Sequence, residues 1–171
     1  MTDPSSTTTT TTTPPTNTTT TTTTTTNPQT PPQTPGSCLC GGITYEITGD
    51  PVTRLLCHCD NCRKASGSSF MANSFLNASQ FKILTGAALI QSYLDSGTDS
   101  GGTISRNFCR VCGSPLFATH VLHKEFLAVM SGTMDGARAE AWRPENELFC
   151  RRRRRFLAPV EGTRVFVEGI E

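Results

Sequence analysis

Cys57-His58-Cys59-Asp60-Asn61-Cys62-Arg63-Lys64-Ala65-Ser66-Gly67 sets three cysteines within six positions, in the spacing C-x-C-x-x-C. A disulfide needs its Cα atoms several ångströms apart and its Cβ vectors facing, which neighbours this close cannot supply among themselves. A metal has no such difficulty: thiolates about 2.3 Å from a Zn²⁺ can come from one tight knuckle. Working outward, Cys38 and Cys40 form C-x-C upstream, and Cys109 and Cys112 form C-x-x-C downstream. Seven of the eight cysteines therefore sit in ligand-spaced clusters, and Cys150 stands apart.

The rest of the chain divides in two. Residues 1–35 are almost all Thr, Pro, Ser, Asn and Gln, with no periodicity and no aliphatic residue beyond Met1. Such a tract buries too little apolar surface to offset its ordering entropy, so it is expected to be a disordered tail. Residues 36–171 have the usual size of one domain. The formal charge is +1, and five of the 15 basic residues form one run, Arg151 to Arg155. Without that run the domain is mildly acidic, which argues against a protein that coats nucleic acid. No apolar stretch approaches the length of a membrane span, so no membrane partner is expected. The start, Met1-Thr2-Asp3-Pro4, lacks the basic and apolar regions of a signal peptide. A cytoplasmic address follows, with the nucleus as the alternative. In a reducing compartment clustered thiols favour metal over disulfides; the rival is a secreted, disulfide-rich domain.

Short runs with period-2 alternation recur along the domain. Ile43, Tyr45 and Ile47 alternate with Thr44, Glu46 and Thr48 in a stretch, 38–48, interrupted by Gly41-Gly42. Further strands are expected over residues 52–56, 68–76, 81–84, 89–94, 103–108, 115–119, 126–130, 147–150 and 164–167. Asn77-Ala78-Ser79-Gln80 reads as a short turn, because Asn and Ser side chains bond nearby backbone. Gly113 can supply the positive φ that a knuckle often needs. No long stretch has a 3.6-residue period. The fold class is mainly β: small antiparallel sheets held by zinc knuckles.

Two well-separated pairs make a closed Cys₄ site: Cys38 and Cys40 with Cys109 and Cys112. Four ligands saturate tetrahedral zinc, so that site is structural, and its binding energy of about 10–16 kcal/mol rivals the stability of a whole domain. Cys57, Cys59 and Cys62 offer three thiolates and an open position, the pattern of a reactive zinc. Spacing alone leaves other arrangements open. Cys150 or His58 could complete the triplet, or the triplet could share ligands with another pair.

Three segments resemble the glutathione-dependent formaldehyde-activating enzyme family. They are Gly36-Ser37-Cys38-Leu39-Cys40-Gly41-Gly42, the triplet stretch 57–67, and Phe108-Cys109-Arg110-Val111-Cys112-Gly113-Ser114-Pro115-Leu116-Phe117. Ser131-Gly132-Thr133-Met134-Asp135 is similar to that family's Gly-Thr-Leu-Asp segment. The resemblance implies a β-tent fold, a structural zinc on Cys38, Cys40, Cys109 and Cys112, and a catalytic zinc on Cys57, Cys59 and Cys62. It also implies a carbon–sulfur lyase that joins formaldehyde to glutathione, giving S-hydroxymethylglutathione. The partners would then be a small thiol and an aldehyde. On this reading Arg63 and Lys64 are candidates to meet glutathione carboxylates, and His58 is a candidate proton carrier. His120 and His123 receive no role.

The chain departs from the family where Glu147-Leu148-Phe149-Cys150 runs into five arginines and Phe156. The run has three readings, in order: a charged, solvated edge strand, a nuclear-import or polyanion-binding segment, and a device that widens the site for an anion. Cys150 reads as a small buried residue. A competing function is a non-catalytic zinc module that contacts protein or nucleic acid through Arg151–Arg155.

Overall fold

The computed structural model describes residues 31–99 and 101–169. Along them run β1 (Gln33–Ser37), β2 (Thr44–Thr48), β3 (Thr53–Cys57), α1 (Asp60–Ser66), β4 (Met71–Asn77), β5 (Phe81–Thr85), β6 (Ile90–Asp95), β7 (Ile104–Cys109), β8 (Pro115–His120), β9 (Phe126–Met130), α2 (Ala137–Glu140), β10 (Asn146–Leu148) and β11 (Arg164–Val165). The fold is mainly β, as expected. Strands β1, β2 and β5 form one antiparallel sheet, and the other eight form a second in the order β11-β10-β3-β4-β9-β8-β7-β6. Two pairings in the second sheet are parallel: β10 lies alongside β3, and β11 alongside β10. No helix among the described residues is long and apolar enough to cross a membrane.

The period-2 pattern of β2 does what it predicts. Tyr45 and Ile47 are buried, while Thr44, Glu46 and Thr48 are half-buried. With Ile43, Leu76, Leu116, Leu127 and Val129 they make the main core. The Asn77–Gln80 turn is a single 3-10 turn, closed where Asn77 N–H donates to Gln80 Oε1 at 3.0 Å.

Three expectations change. Residues 1–30 of the proposed tail lie outside the described residues. Gln33, Thr34 and Pro35, placed in the tail by composition, belong to β1 and pair with Thr48, Ile47 and Glu46. Thr34 is buried and accepts a hydrogen bond from Arg138 Nε. β1 is an edge strand, where a proline's missing N–H is tolerated. The stretch read as one interrupted strand, 38–48, is a turn holding Cys38 and Cys40, followed by β2. Helices α1 and α2 escape a periodicity test because each spans two turns or fewer.

Gly36, in β1, sits against the Tyr45 ring: a Cβ there would lie 2.1 Å from Tyr45 Cζ. Tyr45 is fully buried, and its hydroxyl bonds Thr133 Oγ1 at 2.8 Å, so the ring has nowhere to move. Gly36→Ala should therefore lower stability by about 1–3 kcal/mol through overpacking. Urea unfolding measures it, and an unchanged midpoint would show that the ring yields freely.

Candidate functional site

Strand ends gather the cysteines. The turn after β1 carries Cys38 and Cys40, and the end of β7 with its following turn carries Cys109 and Cys112. All four sulfurs lie within 4.8 Å of one another. Cys38 Sγ is 3.4 Å from Cys40 Sγ, which is 3.8 Å from Cys109 Sγ. Those gaps far exceed a disulfide bond of about 2.05 Å and match the tetrahedral edge implied by metal–sulfur bonds of about 2.3 Å. Gly113 has φ +75°, the positive value expected of it. Ser114 bonds Cys112 through its hydroxyl and N–H and holds that thiol down to about 5, favouring the ligand form.

Cys57, Cys59 and Cys62 make a second cluster, also within 4.8 Å. Cys57 closes β3. Cys59 caps α1: its sulfur accepts the Cys62 N–H at 3.3 Å, as a Ser or Asp would at that position. The x-x of the second half of the motif is thus a first helical turn, which brings the cap and third-residue sulfurs together. Contacts with Cys57 and Cys62 hold the Cys59 thiol down, while the same crowding pushes Cys57 up. Arg106 also favours the ionised Cys59 sulfur. A bound cation would let all three ionise. Both sulfur sets therefore fit a thiophilic metal.

Arg106 went unnoticed in the sequence. Its Nε donates to Asp95 Oδ2 at 2.8 Å, and Asp95 accepts from Asn61 Nδ2 at 2.9 Å. This chain ties α1 to β6 and β7. A cavity of about 540 Å³ opens beside the triplet. Cys57, Cys59, Cys62, Asn61, Asp99 and Arg106 line it, as do His120 and His123, whose rings lie 4.8 Å apart. No sequence signal marks those histidines, since strand β8 and the loop after it reach the triplet only through sheet order.

His58 does not line the cavity. Its ring is buried, and its Nε2 bonds Glu147 Oε2 at 2.8 Å. Glu147 also accepts from Val160 N–H, Thr163 Oγ1 and the Arg153 guanidinium. Burial pushes the Glu147 carboxyl up, but these donors outweigh it and hold the group below its ordinary value. Cys150 joins His58 and Glu147, not the triplet. Arg153 Nη2 stands 2.9 Å from Glu147 and 3.2 Å from Cys150 Sγ, so the protein's own cation fills the place a metal would take.

The arginine run is not a solvated edge strand. Cys150–Arg152 is a 3-10 turn, and three of its charges turn onto acids. Arg151 pairs with Glu168, Arg152 with Asp60 and Asp99, and Arg153 with Glu147. Arg63 pairs with Asp60 and faces a basic concavity of about 500 Å³ with Arg151 to Arg155. Lys64 is exposed on α1.

Removing the buried acceptor at 147 strands both Arg153 and His58. Glu147→Leu should cost about 3–5 kcal/mol, the usual effect of breaking one side of a buried ion pair. Guanidinium chloride unfolding measures it. A wild-type midpoint would mean the network positions nothing.

A family model described as glutathione-dependent formaldehyde-activating enzyme matches residues 33–152. The fold is similar to the crystal structure of a Rhodobacter sphaeroides structural-genomics protein, with 20% identity and a TM-score of 0.49 over 60% of this chain and 89% of that one. No curated protein matches. The family match takes in both thiol clusters and begins where β1 begins: the chain belongs to the glutathione-dependent formaldehyde-activating enzyme family.

Proposed function

We propose that the protein is a zinc-dependent carbon–sulfur lyase-type enzyme acting on the adduct of a small thiol, such as glutathione, and an aldehyde. The observation that carries this is the three-sulfur cluster opening onto a cavity, beside a separate four-sulfur cluster. In the synthetic direction the thiol sulfur forms a bond to the aldehyde carbon. The carbonyl π pair moves to oxygen, and the proton lost by the thiol ends on that oxygen. With formaldehyde the product is S-hydroxymethylglutathione.

Cys57, Cys59 and Cys62 would hold the catalytic zinc, and Cys38, Cys40, Cys109 and Cys112 the structural one. Zinc bound to three thiolates supplies Lewis acidity and lowers the pKa of a bound thiol. The chain's own groups do the rest. Arg106 faces the cluster with a positive charge and favours the anionic sulfur. His120 and His123 line the cavity wall beside the triplet and are the candidates to hold the moving proton. His58 acts at a remove: Glu147 fixes it, and it fixes the loop between two ligands. Arg63, whose Nε and Nη1 have no hydrogen-bond partner among the described residues, with Lys64 nearby on α1 and Arg154 and Arg155 of the concavity, suits the carboxylates of a tripeptide thiol. Arg152 joins that concavity to the cavity wall by pairing with both Asp60 and Asp99. The alternative, a non-catalytic module that binds protein or nucleic acid through the run, is disfavoured because Arg151, Arg152 and Arg153 are already engaged within the fold.

Elemental analysis of protein purified under reducing conditions should give one zinc for each of the two thiol clusters. Cys59→Ser should lose one of them, keep the fold and abolish exchange between glutathione, formaldehyde and their adduct, followed by NMR. Cys109→Ser should lose the fold itself. A single zinc in wild type and Cys59→Ser alike would sink the catalytic site.

A further inference from the structure

Arg63 and the five arginines 151–155 line one concavity of about 500 Å³, and the single acid on its wall is Asp60. Consecutive side chains leave a strand on alternate faces and a helix all round it, so five in a row converge only where the chain curls. Two tight turns supply the curl. Arg152 N–H donates to Phe149 O at 2.9 Å and Arg153 N–H to Cys150 O at 3.1 Å, and then Leu157 N–H donates to Arg154 O at 2.9 Å. Like charges repel, so a run kept only for solubility gains nothing from wrapping around one hollow.

The charge there is not cancelled within the fold. Six guanidiniums meet four carboxylates: Glu168 on Arg151, Asp60 and Asp99 on Arg152, and Glu147 on Arg153, with Asp60 shared by Arg63. Six against four leaves two positive charges, on Arg154 and Arg155, which are exposed and form no ion pair among the described residues. They are neighbours in sequence and line the same hollow, so both face one small volume.

The match for two adjacent guanidiniums is a compact dianion. A phosphate monoester carries about −1.5 to −2 charges at pH 7, with three acceptor oxygens on one atom, and the guanidinium fork pairs with it through two parallel bonds. Glutathione fits less well. Its α-carboxylate stands beside an ammonium that arginines repel, and its glycine carboxylate is a peptide's length away. A nucleic-acid strand also fits less well, because it needs positive charge along its track. Asp60 and Glu168 flank the arginines with half-exposed carboxylates that would repel the neighbouring phosphates.

The concavity adjoins the triplet. Asp60 and Arg63 of α1 line it, while Asn61 and Cys62 of the same helix line the three-sulfur cavity. Arg152 pairs with Asp60 on one wall and Asp99 on the other. We propose that the arginine concavity is a phosphate-monoester site, and that the phosphate is carried on the thiol that the triplet takes. The site itself stands without the thiol–aldehyde reading above; its tie to the thiol rests on that reading and narrows the thiol to a phosphorylated one.

Methyl phosphate, titrated calorimetrically into the zinc-loaded full chain, should bind saturably and more tightly than succinate, a dianion whose charges are spread apart. Arg154→Ala with Arg155→Ala should weaken it about tenfold or more, the worth of one hydrogen bond to a charged group. The melting temperature should not change, as it would if the two arginines were structural. With formaldehyde, phosphopantetheine should be turned over with a higher kcat/KM than pantetheine, and the double variant should erase that difference. Methyl phosphate binding no tighter than succinate, or binding that survives both substitutions, would overturn the site. So would an RNA oligonucleotide that binds through Arg154 and Arg155 where methyl phosphate does not. Equal turnover of the two thiols, with methyl phosphate still bound, would overturn the tie to the thiol and leave a site for a free phosphate ester. Tight, arginine-dependent methyl phosphate binding with no turnover of any thiol, glutathione included, would uphold the site and sink the thiol–aldehyde reading instead.

Discussion

Four sulfurs drawn to within 4.8 Å of one another impose the constraint on which the rest of the structure depends. Cys38 and Cys40 belong to the turn of the three-stranded sheet, and Cys109 and Cys112 to the larger one. Ionised without a cation, such a cluster would repel itself. With one, it ties the two sheets together. Cys38 and Cys109 are also members of that core, packed with Ile43, Leu116 and their neighbours. Cys38 and Cys109 are thus placed to serve both burial and ligation.

The second cluster is held by charge as well as by packing, Cys62 lying against Met71, Ala118 and Met130. Around α1, Asp60 meets Arg63 and Arg152, Asn61 meets Asp95, and Asp95 meets Arg106. Beneath it, Glu147 collects His58 and Arg153. A helix of seven residues has little stability of its own. The ion pairs fix its position, and its position fixes Cys59 and Cys62 relative to Cys57. The arginine run is therefore a clamp on the three-thiol site before it is a surface.

How much of this was legible in the sequence depended on distance along the chain. The cysteine spacing marked both clusters because a knuckle is local, and the alternation in β2 marked its buried face for the same reason. Cys150, His58 and Glu147 meet only because β10 returns to lie parallel to β3, a pairing no local pattern encodes. Arg106 reads as one more charged residue in an alternating strand until the order β8-β7-β6 and the fold of α1 bring it to the sulfurs. Composition misled at the boundary of the tail: Gln33, Thr34 and Pro35 look disordered by type, yet an edge strand accepts them because its neighbour supplies the order. The arginines misled in the opposite sense, since five like charges suggest solvent, and their acidic partners are scattered at 60, 99, 147 and 168.

The two thiol clusters differ by one sulfur, and on the proposed function that difference divides stability from chemistry. A fourth sulfur would complete a tetrahedral metal between the sheets and leave no open position there. The one cysteine outside both clusters, Cys150, is engaged away from the triplet. Its thiol donates to Glu147 O, and Arg153 Nη2 donates to its sulfur at 3.2 Å. Burial pushes that thiol up, so it resists becoming the thiolate a metal needs. Keeping Cys150 engaged elsewhere leaves the triplet open on its cavity side. Were the Arg153–Glu147 pair absent, a free thiol one strand away could compete for the open position. On that reading the buried ion pair does more than carry stability: it would keep the proposed catalytic cluster one ligand short.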